Sequence, residues 1–394
     1  MMAAKRAGKV TEMGKQVGLG RGAWHRACAA ALVLAGVCGT AQAAGEPLVV
    51  GQVAPFTGSQ AVTGRAIHAG AKLYFDAVNA RGGVRGRPIK FVTRDDAQKV
   101  EESVRLTREI IAAESPVALI GTVGTANLEA IAKDGVLAQQ KIAMIGAVSG
   151  ASSVAQAPGM HVVKASYQDE VARLFSQLSV VGVQRVGLLF QDDSLGRDVL
   201  AGAEAAAKRY GMQLVVRAGY PRNTVAVEKA VAEIAKAKVQ VVFLGATTAA
   251  GIEFVKQYVA VGGAGSMVYG MSIIDTDALL KALGPERARG YAFSVVLPQG
   301  GDRSTVAREY QQLRQASGDA DLSARSMEGF IAAKALVKVM EGTSPLNAAG
   351  IATALASSKA VDVGGYLLDF SAKGQTASRY VDFAMFGSGG KLVH

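Results

Sequence analysis

The groups best suited to holding a ligand lie in two short stretches. Gly121-Thr-Val-Gly-Thr125 follows the apolar run at 118–120, and Gly146-Ala-Val-Ser-Gly150 follows the run at 143–145. Each is succeeded by residues that favour helix. As neighbouring parallel strands, the two runs would carry Thr125 and Ser149 to the carboxyl ends of a sheet, where open α/β sheets bind ligands. Unpaired backbone N–H groups at a helix start, together with a hydroxyl, receive an anion such as a carboxylate. The same hydroxyls also suit helix caps, so both roles stand open at this point.

Other chemistries find little support. The chain after residue 43 has three histidines, His68, His161 and His394, and none has paired-ligand spacing. It has no cysteine there either, so neither a zinc site nor any other metal site is expected. No GxxxxGK[ST] occurs, and Gly146-Ala-Val-Ser149-Gly150 lacks the first glycine of a nucleophile elbow. Gly18, Gly20 and Gly22 imitate part of a dinucleotide fingerprint but fall in the leader described below. We therefore expect no catalytic residue, no cofactor and no enzyme. Asp95-Asp96 and Asp192-Asp193 read first as strand ends or caps. Asp192 to Arg197 has a second reading, as a wall of a cleft.

The elements that must position these groups alternate. Strands are expected at 48–54, 89–93, 117–121 and 142–147, with helices at 64–80, 98–113 and 125–139 between them. Ile67, Ala71, Tyr74, Phe75 and Val78 share one face at helical spacing. Beyond Tyr167 the pattern resumes, with helices at 168–181, 195–210, 225–238 and 247–261. Strands at 185–190, 212–217, 240–245 and 266–271 separate them. Helices at 302–316, 323–342 and 346–357 follow, then strands at 365–370 and 379–386. This alternation predicts parallel sheets covered by helices on both sides. Two runs, interrupted near 160–168, suggest two similar lobes.

The first 43 residues read as a secretory signal peptide. Lys5, Arg6, Lys9, Lys15, Arg21 and Arg26 precede an apolar run from Ala27 to Val37, and Ala41-Gln42-Ala43 supplies small residues for cleavage. The run is shorter than the roughly 20 residues of a spanning helix. Both cysteines, Cys28 and Cys38, lie in the leader. The exported chain thus lacks a disulfide framework and must rely on an ordinary core. About 350 residues exceed what one core holds, which again favours two lobes. The leader carries a net +5 of the chain's +11, leaving about +6 spread over the remainder. No basic cluster is interleaved with aromatics, so no nucleic-acid partner is expected.

Several segments in order resemble a known family. They are Thr57-Gly58, Gly64, Asn79-Ala-Arg-Gly-Gly-Val-Arg-Gly86, Asp95-Asp96, Leu119 to Thr125, Ile145 to Gly150, Lys164 to Glu170, Asp193 to Gly196 and Glu328 to Lys334. Nearly the whole chain after residue 43 is similar to type I periplasmic solute-binding proteins of the leucine/isoleucine/valine-binding class, receptors of ABC importers. The resemblance implies an α/β fold of two Rossmann-like lobes with parallel sheets, joined by three hinge crossovers. It implies lobes of about 46–167 plus 298–376 and 168–297 plus 377–394. It also implies a periplasmic monomer that binds a small carboxylate or amino acid and hands it to a membrane permease complex.

By the same resemblance Thr125 meets the ligand carboxylate. Val148, Ser149 and Gly150 hold an α-ammonium and α-carboxylate through a carbonyl, a hydroxyl and N–H groups. Thr63 forms a wall, Tyr167 and Asp169 lie at the cleft mouth, and Thr247 and Ser272 come from the second lobe. Ser272 stands where amino-acid binders of the family commonly carry Glu. A buried ammonium without an opposite charge is costly. So either Asp169, Asp192 or Asp275 replaces that Glu, or the ligand has no α-ammonium. A branched-chain amino acid and a plain organic or aromatic carboxylate both remain open. So does a ligand-sensing module without a transporter.

Overall fold

The computed structural model describes residues 45–299 and 303–393. The expected leader at 1–43 lies outside the described residues.

The first sheet has five parallel strands: β1 (Leu48–Ala54), β2 (Ile89–Asp95), β3 (Ala118–Ile120), β4 (Met144–Ile145) and β5 (Met160–His161), in the order β2-β1-β3-β4-β5. Its connections carry α1 (Ala61–Asn79), α2 (Val100–Glu114), α3 (Thr125–Asp134), α4 (Val136–Gln139) and α5 (Ser152–Ala155). After α6 (Tyr167–Val180) a second sheet begins. The chain runs through β6 (Arg185–Asp192), α7 (Ser194–Tyr210), β7 (Gln213–Pro221), α8 (Glu228–Ala237), β8 (Val241–Gly245) and α9 (Thr248–Ala260). It continues through β9 (Met267–Gly270), α10 (Thr276–Leu283), α11 (Pro285–Ala288) and β10 (Ala292–Val295). Strands β7-β6-β8-β9-β10 repeat the winding of the first sheet. Both sheets therefore have a reversal of strand order, between β1 and β3 and between β6 and β8. Crevices for ligands open at such reversals, outside the carboxyl ends of the strands.

The chain then returns to the first sheet with α12 (Thr305–Ser317), α13 (Ser326–Gly342), α14 (Ala348–Ser357) and the small pair β11 (Val361–Asp362) and β12 (Leu367–Leu368). Helix α13 is buried along most of its length: Phe330, Ile331, Leu336 and Met340 join Leu48, Val50 and Ile120 in one apolar cluster. It crosses α1 at van der Waals distance. A Cβ on Gly70 would sit 1.8 Å from the Ser326 carbonyl oxygen, and one on Gly329 would sit 2.0 Å from that of Ile67. Finally β13 (Asp382–Phe386) and β14 (Leu392–Val393) extend the second sheet.

The three passages between sheets are tied together. The Tyr366 hydroxyl lies 3.0 Å from the Val163 carbonyl oxygen and 3.1 Å from that of Val296, joining the first two passages. The Ala377 N–H donates to the Val162 carbonyl oxygen at 2.8 Å, joining the third to the first.

Several expected elements differ. The helix expected over 125–139 is two, because Gly135 adopts φ 77° and ends α3. The last strands are antiparallel, so the second sheet is mixed. Helices α10 and α11 and strand β10 fill a stretch where none was expected. Helix α10 is capped by Asp275, whose carboxylate accepts from the Ala278 N–H at 3.1 Å. Strand β5 lies where an interruption was expected, and the strand expected over 365–370 shrinks to β12. Among the described residues no helix is long and apolar enough to cross a membrane.

Candidate ligand-binding cleft

The carboxyl ends of the two sheets face one another across a small cavity of about 30 Å³. That leaves room for roughly a water or two. The segments after β1, β2, β3 and β4 supply Thr63, Gln98, Thr125 and Val148. The ends of β6, β7, β8 and β9 supply Asp193, Arg222, Thr247 and Ile273. Tyr167, from the first passage, and Arg325, just before α13, complete the walls. Both crevices left by the strand reversals thus open into one space.

The first wall is organised by the start of α3. Gly124 precedes it with φ 105°, a region open mainly to glycine, and offers no side chain to cap the first turn. The leading N–H groups of α3 therefore remain available at the positive end of its dipole. A Cβ on Gly124 would stand 2.2 Å from Nε2 of Gln98, so glycine also lets Gln98 approach. Thr125 Oγ1 lies 2.9 Å from Ser149 Oγ, and Ser149 Oγ accepts from the Ala151 N–H at 3.1 Å. A short bridge between Val123 and Val148 holds the two glycine-rich stretches side by side.

Gln98 reaches the wall through a strained turn. Ala97 and Gln98 both have positive φ, 46° and 63°. Two carboxylates hold them there: Asp95 accepts from the Ala97 N–H at 2.9 Å and Asp96 from the Gln98 N–H at 2.9 Å. Strain of this kind persists only where surrounding contacts enforce it. Burial pushes the Asp96 carboxyl above its usual range, while hydrogen bonds from Ser103 and Gln98 oppose that shift.

The second wall is a chain of polar contacts. The Thr247 N–H donates to the Tyr220 hydroxyl oxygen at 3.0 Å, and that hydroxyl donates to Gln191 Oε1 at 3.3 Å. Among the described residues Asp193 is the wall's only carboxylate, and both its oxygens are engaged. One accepts from the Gly196 N–H at 3.2 Å; the other accepts from Gln191 Nε2 at 2.7 Å and faces Arg222 Nε at 3.3 Å. Arg222 then crosses the cleft, donating to the Gln98 carbonyl oxygen at 3.2 Å and to Asn127 Oδ1 at 2.7 Å. Burial raises the Tyr167 and Tyr220 hydroxyls to about 12, so both remain neutral donors.

Of the residues singled out from sequence, Thr63, Thr125, Val148, Tyr167 and Thr247 stand on the cavity wall. Ser149 stands directly behind Thr125, fully buried. Gly150 does not reach the wall. It packs beneath Tyr167, whose N–H donates to its carbonyl oxygen at 2.8 Å. Ser272 is also displaced from the cavity. Its N–H and hydroxyl donate to the two oxygens of Glu170, each at 2.9 Å, and Lys164 Nζ lies 3.4 Å from its Oγ.

None of the three substitute aspartates faces the cavity. Asp169 closes a capping box with Ser166, Asp192 is exposed, and Asp275 caps α10 and accepts from Ser323. Gln98 and Arg325 escaped the sequence reading. No short motif marks either, although Arg325 lies three residues before the family-like Glu328.

The chain is similar to known proteins over most of its length. Leu/Ile/Val-binding protein homolog 7 of Brucella suis is 24% identical over 357 residues, covering 84% of this chain and 86% of the relative. A substrate-binding periplasmic protein from Ralstonia solanacearum superposes with a TM-score of 0.84 at 40% identity, over 88% of this chain and 99% of that one. A solute-binding protein of an ABC transporter from R. palustris, solved with benzoate, has the same fold, with a TM-score of 0.76 at 21% identity over 88% and 95% of the two chains. With a family model matching residues 47–391, the chain belongs to the periplasmic binding protein family.

Proposed function

We propose that this protein is the exported receptor of an ABC importer and traps a small carboxylate-bearing ligand between its two lobes. The observation that carries the reading is the uncapped start of α3, with the Thr125–Ser149 hydroxyl pair, opening into the cavity between the sheets. Lobes of about 46–167 plus 298–376 and 168–297 plus 377–394 open and close about the three passages. Ligand shifts the population towards the closed form. The receptor acts as a periplasmic monomer and releases its ligand unchanged to a permease complex in the membrane. The names of the Brucella suis and R. palustris proteins speak of leucine, isoleucine and valine in one case and benzoate in the other. A carboxylate is the group these ligands share.

Isothermal calorimetry of the chain from Ala44 onward, with a panel of amino and organic acids, tests the reading. At least one carboxylate should bind. Thr125→Val and Ser149→Ala should each weaken it by about 1–3 kcal/mol, as expected when a charged group loses a hydrogen bond. Because Ser149 orients Thr125, the double variant should lose less than the sum of the two. Unchanged affinity in both single variants would remove this corner from the ligand site.

A further inference from the structure

Two buried polar atoms among the groups that line the cavity have no partner: Nε of Arg325 and Oε1 of Gln98. Both side chains are more than nine-tenths buried, with Arg325 7% and Gln98 4% exposed. Among the described residues, buried Oε1 of Glu328 and Oδ2 of Asp198 also lack a hydrogen-bond partner, but neither residue lines the cavity; most buried polar groups in proteins are paired. The Gln98 amide is oriented by its own contacts, since Nε2 donates to Asn127 Oδ1 at 3.0 Å and to the Val123 carbonyl oxygen at 3.4 Å. Oε1 is therefore an acceptor in need of a donor. The charge of Arg325 is already balanced, because Nη1 lies 2.5 Å from Glu328 Oε2. Its Nε is a donor in need of an acceptor, and that acceptor can be neutral.

Resting on the carboxylate reading above, we infer that the ligand is a hydroxy acid. Its hydroxyl pairs with Gln98 Oε1 and Arg325 Nε, and its carboxylate sits at the start of α3. A hydroxyl is the smallest neutral group that donates and accepts through a single atom. An oxo group only accepts and leaves Gln98 unpaired; a methylene serves neither. An ammonium has three donors and no acceptor, so it leaves Arg325 Nε orphaned. It would also place a third positive charge beside the guanidinium groups of Arg222 and Arg325. Among the described residues the only carboxylate on the wall, Asp193, is committed to Gly196, Gln191 and Arg222. A site with unpaired hydrogen-bonding groups discriminates strongly against ligands that leave them so.

The test uses sets of acids that share one carbon skeleton and differ at one carbon: hydroxyl, oxo, hydrogen or ammonium. Skeletons should run from three-carbon acids to phenyl-substituted ones, ranked by thermal shift and then measured by calorimetry. In at least one skeleton the hydroxy acid should bind tenfold or more tightly than its hydrogen and ammonium counterparts. Gln98→Leu should bring that preference below about threefold while the hydrogen counterpart binds as before, the order expected for one hydrogen bond. Arg325→Gln alone would strand Glu328, so the paired Arg325→Gln/Glu328→Gln variant is used, with the same expectation. Acids that bind with no hydroxyl preference in any skeleton, or a preference that survives both variants, would overturn the inference and leave the carboxylate reading standing. Failure of every acid to bind would overturn both.

Discussion

Arg222 and Asn127 join the two sheets across the cleft: the guanidinium Nη2 donates to the amide Oδ1 at 2.7 Å. Asn127 lies in the first turn of α3, and Arg222 follows β7. The contact exists only while the walls are together, so it belongs to the energy of the closed form. Arg222 is aimed by Asp193 at 3.3 Å and also holds the Gln98 carbonyl oxygen.

Removing Arg222 should therefore open the protein. A hydrogen bond to a charged group contributes about 1.5–3 kcal/mol, and affinity falls in proportion to the fraction of molecules able to close. Arg222→Ala should weaken ligand binding about tenfold or more. It should also enlarge the radius of gyration measured by X-ray scattering at saturating ligand. Arg222→Lys should recover little, because an ammonium cannot reproduce the fork that reaches Asp193, Gln98 and Asn127 together. Normal closure and unchanged affinity in Arg222→Ala would show that the contact is incidental to closing.

The sequence was informative where local rules suffice. The apolar runs before Gly121 and Gly146 were bound to be strands, and hydroxyl residues after them were bound to reach a carboxyl edge. Thr125 and Ser149 follow from that alone. Gln98 does not, because its place depends on two successive left-handed residues that Asp95 and Asp96 enforce. Acidic pairs are common as strand ends or caps, so the sequence alone does not mark this pair's positioning role. Arg325 comes from a segment remote in sequence, and only the return of α13 to the first sheet brings it to the cleft. Ser272 shows the opposite failure. The resemblance places it on the wall, but its N–H and its hydroxyl both donate to Glu170 instead.

Ser272 should consequently affect stability more than binding. Its hydroxyl donates to Glu170, which also accepts from Ser294, and the Ser272 Oγ accepts from Lys164 Nζ at 3.4 Å. Burial lowers the Lys164 pKa, while Glu328 and Glu170 act against that shift. Ser272→Ala deletes one hydrogen bond to a buried carboxylate, a loss of about 1.5–3 kcal/mol. The melting temperature should fall by a few degrees, and affinity for any ligand should change less than about twofold, within the small range expected of a residue off the site. A large loss of affinity with an unaltered melting temperature would return Ser272 to the cavity wall.

His161 gives the molecule a calculable response to acid. It lies in β5, edge-on to Phe370 with ring centroids 5.6 Å apart, and burial lowers its pKa to about 4. In the unfolded chain the same ring titrates near 6.5. Between these values the unfolded state binds more protons than the folded one, so stability falls as the pH drops from about 6.5 towards 4. At about 1.4 kcal/mol per unit, the loss approaches about 3 kcal/mol. His68, whose pKa burial also lowers, adds to the loss. Asp96 and Asp275 oppose it, because burial raises both carboxyls and protonation relieves them. Replacing the ring isolates its share. Urea midpoints of the native chain should fall between pH 7 and pH 4.5, and those of His161→Gln should fall less steeply. At pH 7, where His161 is mostly neutral in both states, the variant should be no more stable than the native chain. The gap should narrow or reverse in acid. Parallel profiles for the two proteins would show that His161 is solvated and does not govern the acid limb.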